Sequence, residues 1–284
     1  MSRSLLAAAA TLLMAGTAMA EPVKFAVTDI EGLEALQQEF AAFEGALEKA
    51  TGLEIELYPV SSRTAAVEAI NQGKADLVLT GPAEYVVIKE LTDAEIVVAW
   101  QRPNYYAQIV TLTEGSIDSV ADLKGKTVTF GSVGSTSQHL GPAQTLADFG
   151  LNYGSDYNAQ IISRNVAVEA LIRGDIQAVG MNDGHLKKIR KAFPGVSFTV
   201  VARGRDLPND ILIARKDMDK AALEKVKKAF VENGKELMAA VLKGDDNQKY
   251  EGGFFLSSVE DAKYDYVRAM YKTIGVDTKS FVGN

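Results

Sequence analysis

Three consecutive hydroxyl residues and a nearby histidine are the strongest candidates for chemistry in this sequence. Ser135, Thr136 and Ser137 follow a glycine-containing turn, and His139 comes two residues later. Hydroxyl and imidazole groups can donate hydrogen bonds to an oxyanion. A helix N-terminus at this point would add unpaired N–H groups and the positive end of the helix dipole. These residue types at this spacing therefore indicate an anion-binding turn.

The same residues have other interpretations. An ordinary helix cap would use the same hydroxyls, since Ser135 and Gln138 have capping-box spacing. The turn is not a nucleotide-binding P-loop, because no Gly-Lys-Ser/Thr follows it. Ser135 and His139 lack the aspartate and oxyanion arrangement that a nucleophile needs, so we expect no enzymatic activity. Pro142 must either kink the following helix or begin its regular part.

Strands and helices that could position this turn are predicted along the whole chain by hydrophobic periodicity. Strands are predicted over 23–28, 53–58, 76–79, 96–100, 108–112, 127–130, 159–162, 178–181, 197–201 and 211–214. Helices are predicted over 33–50, 64–72, 166–173, 183–191, 220–242 and 264–274, and also after Pro82 and after the hydroxyl turn. This alternation predicts an α/β fold with mainly parallel central sheets and helices on both faces.

An internal repeat divides the chain into two halves. Residues 62–73 resemble residues 163–174, and the repeat places Arg63 and Arg164 at equivalent helix starts. Ligands of open α/β sheets lie at the carboxyl ends of the strands, so two such edges facing each other would form a cleft. Chance similarity between short amphipathic helices is the alternative explanation.

The repeat also predicts which turns face this cleft. Gly81 follows the strand after the first copy, and Asn182 and Asp183 follow the strand after the second. Asp183 could contact the ligand or simply cap the next helix. We predict one lobe from 21–112 with 212–284 and a second lobe from 113–211, joined by paired crossovers.

The N-terminus is typical of a secretory signal peptide. A short basic start at Arg3 precedes an apolar stretch over 5–16, and Ala18-Met19-Ala20 before Glu21 fits an A-x-A cleavage site. The apolar stretch is shorter than the roughly 20 residues of a membrane-spanning helix. Residues 1–20 are therefore predicted to be removed on export to the periplasm.

Composition excludes several classes of function. The net charge of −7 argues against a nucleic-acid partner, although a buried anion site depends on local donors instead. The absence of cysteine means that the exported chain must fold without disulfides. The two histidines lack closely spaced carboxylates, so we expect no metal and no cofactor. His185 lies in a basic helix start and is interpreted as structural.

At this point the residues match a known family. The run Ser135-Thr136-Ser137-x-His139-Leu140-x-Pro142 resembles the phosphonate-site motif of the PhnD-type binding proteins of bacterial ABC transporters. The likeness extends over about 23–242 and includes the segments at 122–126, 208–210 and 215–217. It implies a type II periplasmic-binding-protein fold whose lobes close on the ligand.

The resemblance also implies roles for particular residues. Ser135, Thr136, Ser137 and His139 would surround a phosphorus oxyanion, and Tyr105 would line the cleft. Arg63 and Arg164 depart from the family pattern, which often has a tyrosine at the first position and acidic or histidine residues near the second. By the resemblance, these positions contact the organic substituent in aminoalkylphosphonate binders. This difference disfavours an ammonium-bearing ligand and favours a small or more anionic one.

The sequence thus predicts a monomeric periplasmic substrate-binding protein of an ABC transporter. It would capture phosphonate, phosphite or phosphate by lobe closure and deliver it to the permease. Two alternatives stay open: the same fold could bind a carboxylate or a sulfonate, or it could report its ligand to a sensor kinase.

Export gives the first testable prediction. Mass spectrometry of a periplasmic fraction should find a mature chain that begins at Glu21, because cleavage follows the small residues 18–20. A chain that retains Met1 in the cytoplasm would contradict this prediction.

Overall fold

The computed structural model describes residues 21–278, apart from the side chains of residues 63 and 64. The predicted signal peptide of residues 1–20 lies outside this range. Within it, no helix combines the length and the apolar character needed to cross a bilayer.

Strands and helices alternate along the described chain, as the periodicity predicted. The strands are β1 Val23–Val27, β2 Ile55–Leu57, β3 Leu77–Thr80, β4 Glu95–Trp100, β5 Tyr106–Leu112, β6 Thr127–Phe130, β7 Asn158–Ile161, β8 Ala178–Asn182, β9 Phe198–Asp206, β10 Asp210–Ala214 and β11 Phe255–Leu256. The helices are α1 Leu33–Thr51, α2 Arg63–Asn71, α3 Pro82–Leu91, α4 Gly141–Asp148, α5 Arg164–Arg173, α6 Asp183–Ala192, α7 Lys220–Glu232, α8 Gly234–Val241 and α9 Asp265–Thr273.

The strands form two mixed sheets. The first has the order β11-β4-β10-β3-β1-β2, and the second has the order β7-β6-β8-β5-β9. In the first sheet β1 runs parallel to β2 and β3, whereas β10 runs antiparallel to β3 and β4. In the second, β6 runs parallel to β7 and β8, whereas β5 runs antiparallel to β8 and β9. Each sheet forms the centre of one lobe.

The strand orders support the internal repeat that the sequence predicted. The series β2-β1-β3-β10-β4 in the first sheet corresponds to β7-β6-β8-β5-β9 in the second, with the same relative directions. Helix α2 connects β2 to β3, and α5 connects β7 to β8, so the two copies of the repeat occupy equivalent places. The similarity of residues 62–73 and 163–174 therefore reflects a shared topology.

The chain passes between the sheets twice, once between β4 and β5 and once between β9 and β10. The two crossovers lie side by side, because the Leu207 N–H donates to the Tyr105 carbonyl at 2.8 Å and the Arg102 N–H to Asn209 Oδ1 at 3.2 Å. The sequence grouped residues up to 112 with the first lobe, but β5 pairs with β8 and β9 in the second sheet. The apolar pattern of a buried strand reveals its burial and not its partners.

Each lobe has apolar side chains packed on both faces of its sheet. The core of the first lobe includes a group of aromatic rings around Trp100. The Phe43 and Trp100 ring centroids are 5.2 Å apart, and those of Phe25 and Phe43 are 5.4 Å apart. Pairs of this kind contribute about 0.5–1.5 kcal/mol beyond their burial, so they stabilise the end of β4 from which the first crossover begins.

Close packing of β8 against α4 gives a stability prediction. A Cβ at Gly180 would lie 2.5 Å from Pro142 Cβ, and a proline ring cannot move aside easily. We expect Gly180→Ala to lower the free energy of unfolding by about 1–3 kcal/mol in urea denaturation. As a matched control, Gly45→Ala in α1 meets nothing within 4 Å and should raise stability by about 0.5–1 kcal/mol. Equal stability of Gly180→Ala and the wild type would contradict this packing.

Candidate functional site

A cleft of about 1210 Å³ lies between the two lobes, at the carboxyl ends of strands from both sheets. Thr28 follows β1 and Gly81 follows β3 on one wall, and the hydroxyl turn follows β6 and Asn182 ends β8 on the other. The crossovers form the floor, where Arg102 and Tyr105 line the cleft. The fold therefore brings two equivalent sheet edges together, which is where α/β proteins bind ligands.

The hydroxyl turn, Ser135 to Ser137, leads into a π-helical turn, Thr136–Leu140, which runs directly into α4. The N–H groups of His139 and Leu140 both donate to the Ser135 carbonyl at 3.0 Å. Ser135 makes no capping hydrogen bond with its side chain, so the ordinary helix cap does not describe its role. Pro142 lies in the first turn of α4, where its missing N–H costs no helical hydrogen bond. Because the wider π-helical turn separates Ser135 from α4, Pro142 falls at the start of the regular helix and does not interrupt it.

The three hydroxyl side chains line the cleft and are almost fully buried. Ser137 Oγ accepts a hydrogen bond from Asn182 Nδ2 at 3.0 Å. Thr136 Oγ1 accepts one from the Ala83 N–H at 3.0 Å. A hydroxyl that accepts a hydrogen bond keeps its own proton for donation, so the Ser137 hydroxyl can serve as an oriented donor. The Thr136 hydroxyl is also hydrogen-bonded to Tyr105.

The Thr136–Ala83 hydrogen bond joins the two lobes. Ala83 lies in the first turn of α3 in the first lobe, and Thr136 begins the π-helical turn in the second. The hydroxyl oxygen meets one of the unpaired N–H groups of a helix N-terminus. At this point the two walls of the cleft are therefore in direct contact.

Tyr105 lies beside this contact and lines the floor of the cleft, as the family resemblance implied. Burial raises the pKa of Tyr105 to about 12, while the nearby Arg102 guanidinium acts in the opposite direction. The phenol is therefore neutral near pH 7 and can donate a hydrogen bond.

His139 lies outside the cleft, contrary to its predicted role as a direct donor. Its Nδ1 accepts from the Gly134 N–H at 3.1 Å, and its Nε2 lies 3.0 Å from the Tyr153 hydroxyl. The ring also packs edge-on against Phe130. Both ring nitrogens are therefore engaged within the second lobe, and His139 holds the glycine-containing turn in place instead of contacting the cleft.

The other predicted residues of the second lobe do line the cleft. Arg164 Nε donates to Gln138 Oε1 at 2.9 Å, which ties α5 to the hydroxyl turn. Asn182 Oδ1 accepts from the His185 N–H at 2.9 Å and so caps α6. The Asp183 carboxylate pairs with Lys187 at 2.7 Å. This wall carries most of the donors that an anion could use.

The predicted residues of the first lobe are fewer. Gly81 lines the cleft, where a Cβ would lie 2.7 Å from Glu84 Oε2, so a larger residue would crowd this wall. The side chain of Arg63 lies outside the described residues, although its backbone begins α2. Asp29 and Glu84 also line this wall, and the sequence analysis did not select them.

Arg102 is the main feature of the site that sequence analysis missed. Its guanidinium carbon lies 3.7 Å from the centre of the Tyr105 ring, and its Nη1 lies 3.3 Å from the Asp210 carboxylate. Tyr250 donates its hydroxyl proton to Asp210 at 2.7 Å. Burial favours the neutral form of Arg102, but Asp210 opposes this effect and leaves its pKa above the ordinary value. Asp210 is distant from Arg102 in the sequence, so no local pattern indicated this pair.

Among the described residues, no group of three or more His, Cys, Asp or Glu side chains is placed to hold a metal ion. What the cleft offers is a set of hydroxyl, amide and guanidinium donors. This arrangement can bind an anion reversibly.

The buried His139 gives a prediction of pH dependence. Burial lowers its pKa from 6.5 to about 4, so the unfolded chain binds a proton before the folded chain does. Stability should then be unaffected above pH 6.5 and should fall as the pH drops from 6.5 towards 4. At pH 5 the loss from one such histidine is about 1–2 kcal/mol relative to pH 7.5.

Urea denaturation at the two pH values tests this directly. The His139→Gln variant should show a smaller pH dependence than the wild type, even if it is less stable at both values. An unchanged pH dependence would show that His139 is protonated as readily in the folded protein as in the unfolded chain.

Comparison with known proteins adds a second, independent observation. The family model described as a periplasmic substrate-binding protein of a phosphonate ABC transporter matches residues 25–254. This match includes most of β1, the strands β2 to β10, both crossovers and the hydroxyl turn.

Solved structures share the two-lobed fold. A binding component of an ABC phosphonate transporter from Pseudomonas aeruginosa has a TM-score of 0.67 at 17% identity, covering 92% of this chain and 90% of that one. PhnD1 from Prochlorococcus marinus, in complex with methylphosphonate, has a TM-score of 0.68 at 18% identity, covering 89% and 98%. The aliphatic sulphonate-binding protein SsuA from Escherichia coli has a TM-score of 0.63 at 18% identity, covering 90% and 88%. These identities are low, so the similarities establish the fold alone.

Proposed function

Because the chain belongs to the phosphonate family of periplasmic ABC-transporter substrate-binding proteins, we propose that it captures a small phosphorus oxyanion between its lobes and delivers it to the membrane permease. The observation that carries this proposal is the hydroxyl turn, Ser135 to Ser137, at the wall of the cleft. The proposal includes export by cleavage of residues 1–20 and function as a monomer.

The hydroxyl turn supplies donors whose directions are fixed. Asn182 orients the Ser137 hydroxyl, and the π-helical turn fixes the backbone that carries all three side chains. Hydrogen bonds to a charged oxygen are shorter and roughly twice as strong as those between neutral groups. Three oxygens on one phosphorus atom can use several donors of this kind at once. A phosphonate, a phosphite or a phosphate fits this requirement.

Charge around the cleft favours placing the anion on the second-lobe wall. That wall carries Arg164, Lys187 and Lys188 against one acidic residue, Asp183. On the first-lobe wall the acidic residues, among them Asp29 and Glu84, outnumber the one lysine, Lys249. The Arg102 guanidinium on the floor is already paired with Asp210. Selection of an anion would therefore depend on the directed donors of the second lobe and not on the net charge of the cleft.

Capture would involve a change in the angle between the lobes. The two crossovers are the covalent connections between the sheets, and short segments of this kind are the usual hinges of two-lobed binding proteins. The Thr136–Ala83 contact shows how one wall can meet the other. Binding and release would then need no covalent step, in keeping with a transport protein instead of an enzyme.

Calorimetry with a panel of anions tests the choice of ligand. Methylphosphonate, phosphite and phosphate should bind, because each offers several oxygens to the hydroxyl turn. Tighter binding of methanesulfonate or acetate than of all three would instead support a sulfonate or carboxylate ligand. Binding of 2-aminoethylphosphonate as tightly as methylphosphonate would contradict the expectation that ammonium-bearing ligands are disfavoured.

Substitution of Ser137 tests the position of the site. Ser137→Ala should weaken methylphosphonate binding about ten- to a hundredfold, since a hydrogen bond to a charged ligand is worth roughly 1.5–3 kcal/mol. Ser258→Ala is the matched control, because Ser258 is exposed and does not line the cleft. Equal affinity of the wild type and Ser137→Ala, with unchanged thermal stability, would place the site elsewhere.

A further inference from the structure

The second histidine of the chain, His185, lies in the cleft wall with an unused ring nitrogen. It lines the cleft in the first turn of α6, yet only 5% of the residue is exposed. Neither ring nitrogen has a hydrogen-bond partner among the described residues: Nδ1 is enclosed by protein, and Nε2 forms no hydrogen bond there either. Buried polar atoms normally have partners, so an unpartnered imidazole in a ligand cleft calls for an explanation.

The same asparagine that orients Ser137 also positions His185. Asn182 Nδ2 donates to Ser137 Oγ at 3.0 Å, and Asn182 Oδ1 accepts from the His185 N–H at 2.9 Å. The first turn of α6 and the hydroxyl turn are therefore joined through one side chain. A ligand held by Ser137 would lie next to the start of α6.

We propose that His185 contacts the bound oxyanion directly, donating a hydrogen bond from its Nε2–H, and that it takes the role that the sequence motif suggested for His139. This inference rests on the proposed function. The Nδ1 atom is enclosed by protein, which leaves Nε2 as the nitrogen able to reach the cleft. An unpartnered buried N–H is rarer than an unpartnered acceptor, so the neutral ring carries its proton on Nε2.

Burial, together with nearby positive charges, keeps the His185 ring neutral. Burial is the largest effect, and the positive charges of Arg164 on α5 and Lys188 on α6 add to it, lowering the pKa of His185 to about 4. The nearby Asp183 is paired with Lys187. His185 is therefore a donor without a charge at pH 7. An anion in the cleft would favour the protonated ring and raise this pKa.

A neutral donor can be distinguished from a cationic one by its response to salt. Substituting a lysine or arginine at the rim of the cleft changes affinity in a salt-dependent way, because the attraction is screened. Substituting His185 should change affinity by a similar factor at low and high salt. The loss would come from a directed hydrogen bond and not from long-range attraction.

Calorimetric titration of methylphosphonate into two variants tests the inference. His185→Leu removes the donor and should weaken binding about ten- to a hundredfold, to a similar extent at low and high salt. His185→Gln keeps an amide N–H near the position of Nε2 and should lose clearly less. Lys191→Gln is the matched control at the far, exposed end of α6 and should bind like the wild type. Thermal unfolding without ligand checks that each variant is folded.

Nuclear magnetic resonance gives a readout that a structural role would not affect. The chain has only two histidines, so their imidazole nitrogen signals can be assigned with the His139→Gln variant. Saturating methylphosphonate should shift the His185 Nε2 signal and raise the pKa of His185. The affinity of the wild type should increase from pH 7 to pH 5 relative to His185→Gln, a comparison that cancels the titration of the ligand itself.

The outcomes separate this inference from the function on which it rests. If the wild type binds none of the phosphorus oxyanions, both fail. If the wild type binds methylphosphonate but His185→Leu binds it within twofold, or the ligand leaves the His185 signal unshifted, the inference about His185 fails alone.

Discussion

A buried ion pair fixes the place where the two lobes are joined. Arg102 leaves the first sheet after β4, and Asp210 enters it at the start of β10, opposite Trp100. Their contact therefore ties the two crossovers to each other. Removing one partner of a buried pair leaves the other charge without compensation, which typically costs about 3–5 kcal/mol. The Tyr105 ring on the floor of the cleft lies against Arg102, so its position depends on this pair.

The ion pair also limits which groups could bind an anion in the proposed site. The chain has a net charge of −7, and the cationic group on the floor is matched by a carboxylate. In the proposed site, the second-lobe wall would therefore use oriented neutral hydroxyl and amide groups beside the cationic Arg164, Lys187 and Lys188. Such groups cost little to bury once they are hydrogen-bonded. They favour a ligand with many acceptor atoms through the direction of their hydrogen bonds and not through long-range attraction between charges.

The sequence predicted those parts of the fold that depend on local pattern. The alternation of elements, the repeat and the hydroxyl residues Ser135 to Ser137 all follow from short-range periodicity and composition.

The two histidines show where this reasoning ends. A π-helical turn holds more residues per turn than an α-helix, so the side chains after Ser135 point in directions that α-helical spacing does not predict. As a result His139 faces the interior of the lobe. His185, in the first turn of α6, lines the cleft although no motif singled it out. The Arg102–Asp210 pair and the sheet membership of β5 depend on contacts between distant segments, which no local pattern encodes.

The Thr136–Ala83 hydrogen bond has a kinetic consequence. It links the lobes directly, so it must break each time they separate. A hydrogen bond between neutral groups contributes about 1 kcal/mol, which corresponds to roughly a fivefold change in an equilibrium constant. If the bond breaks before the transition state for opening, this factor slows ligand escape and lengthens the residence time of a captured anion. A hydrogen bond between the two lobes would then help to set how long the cargo stays bound before the permease receives it.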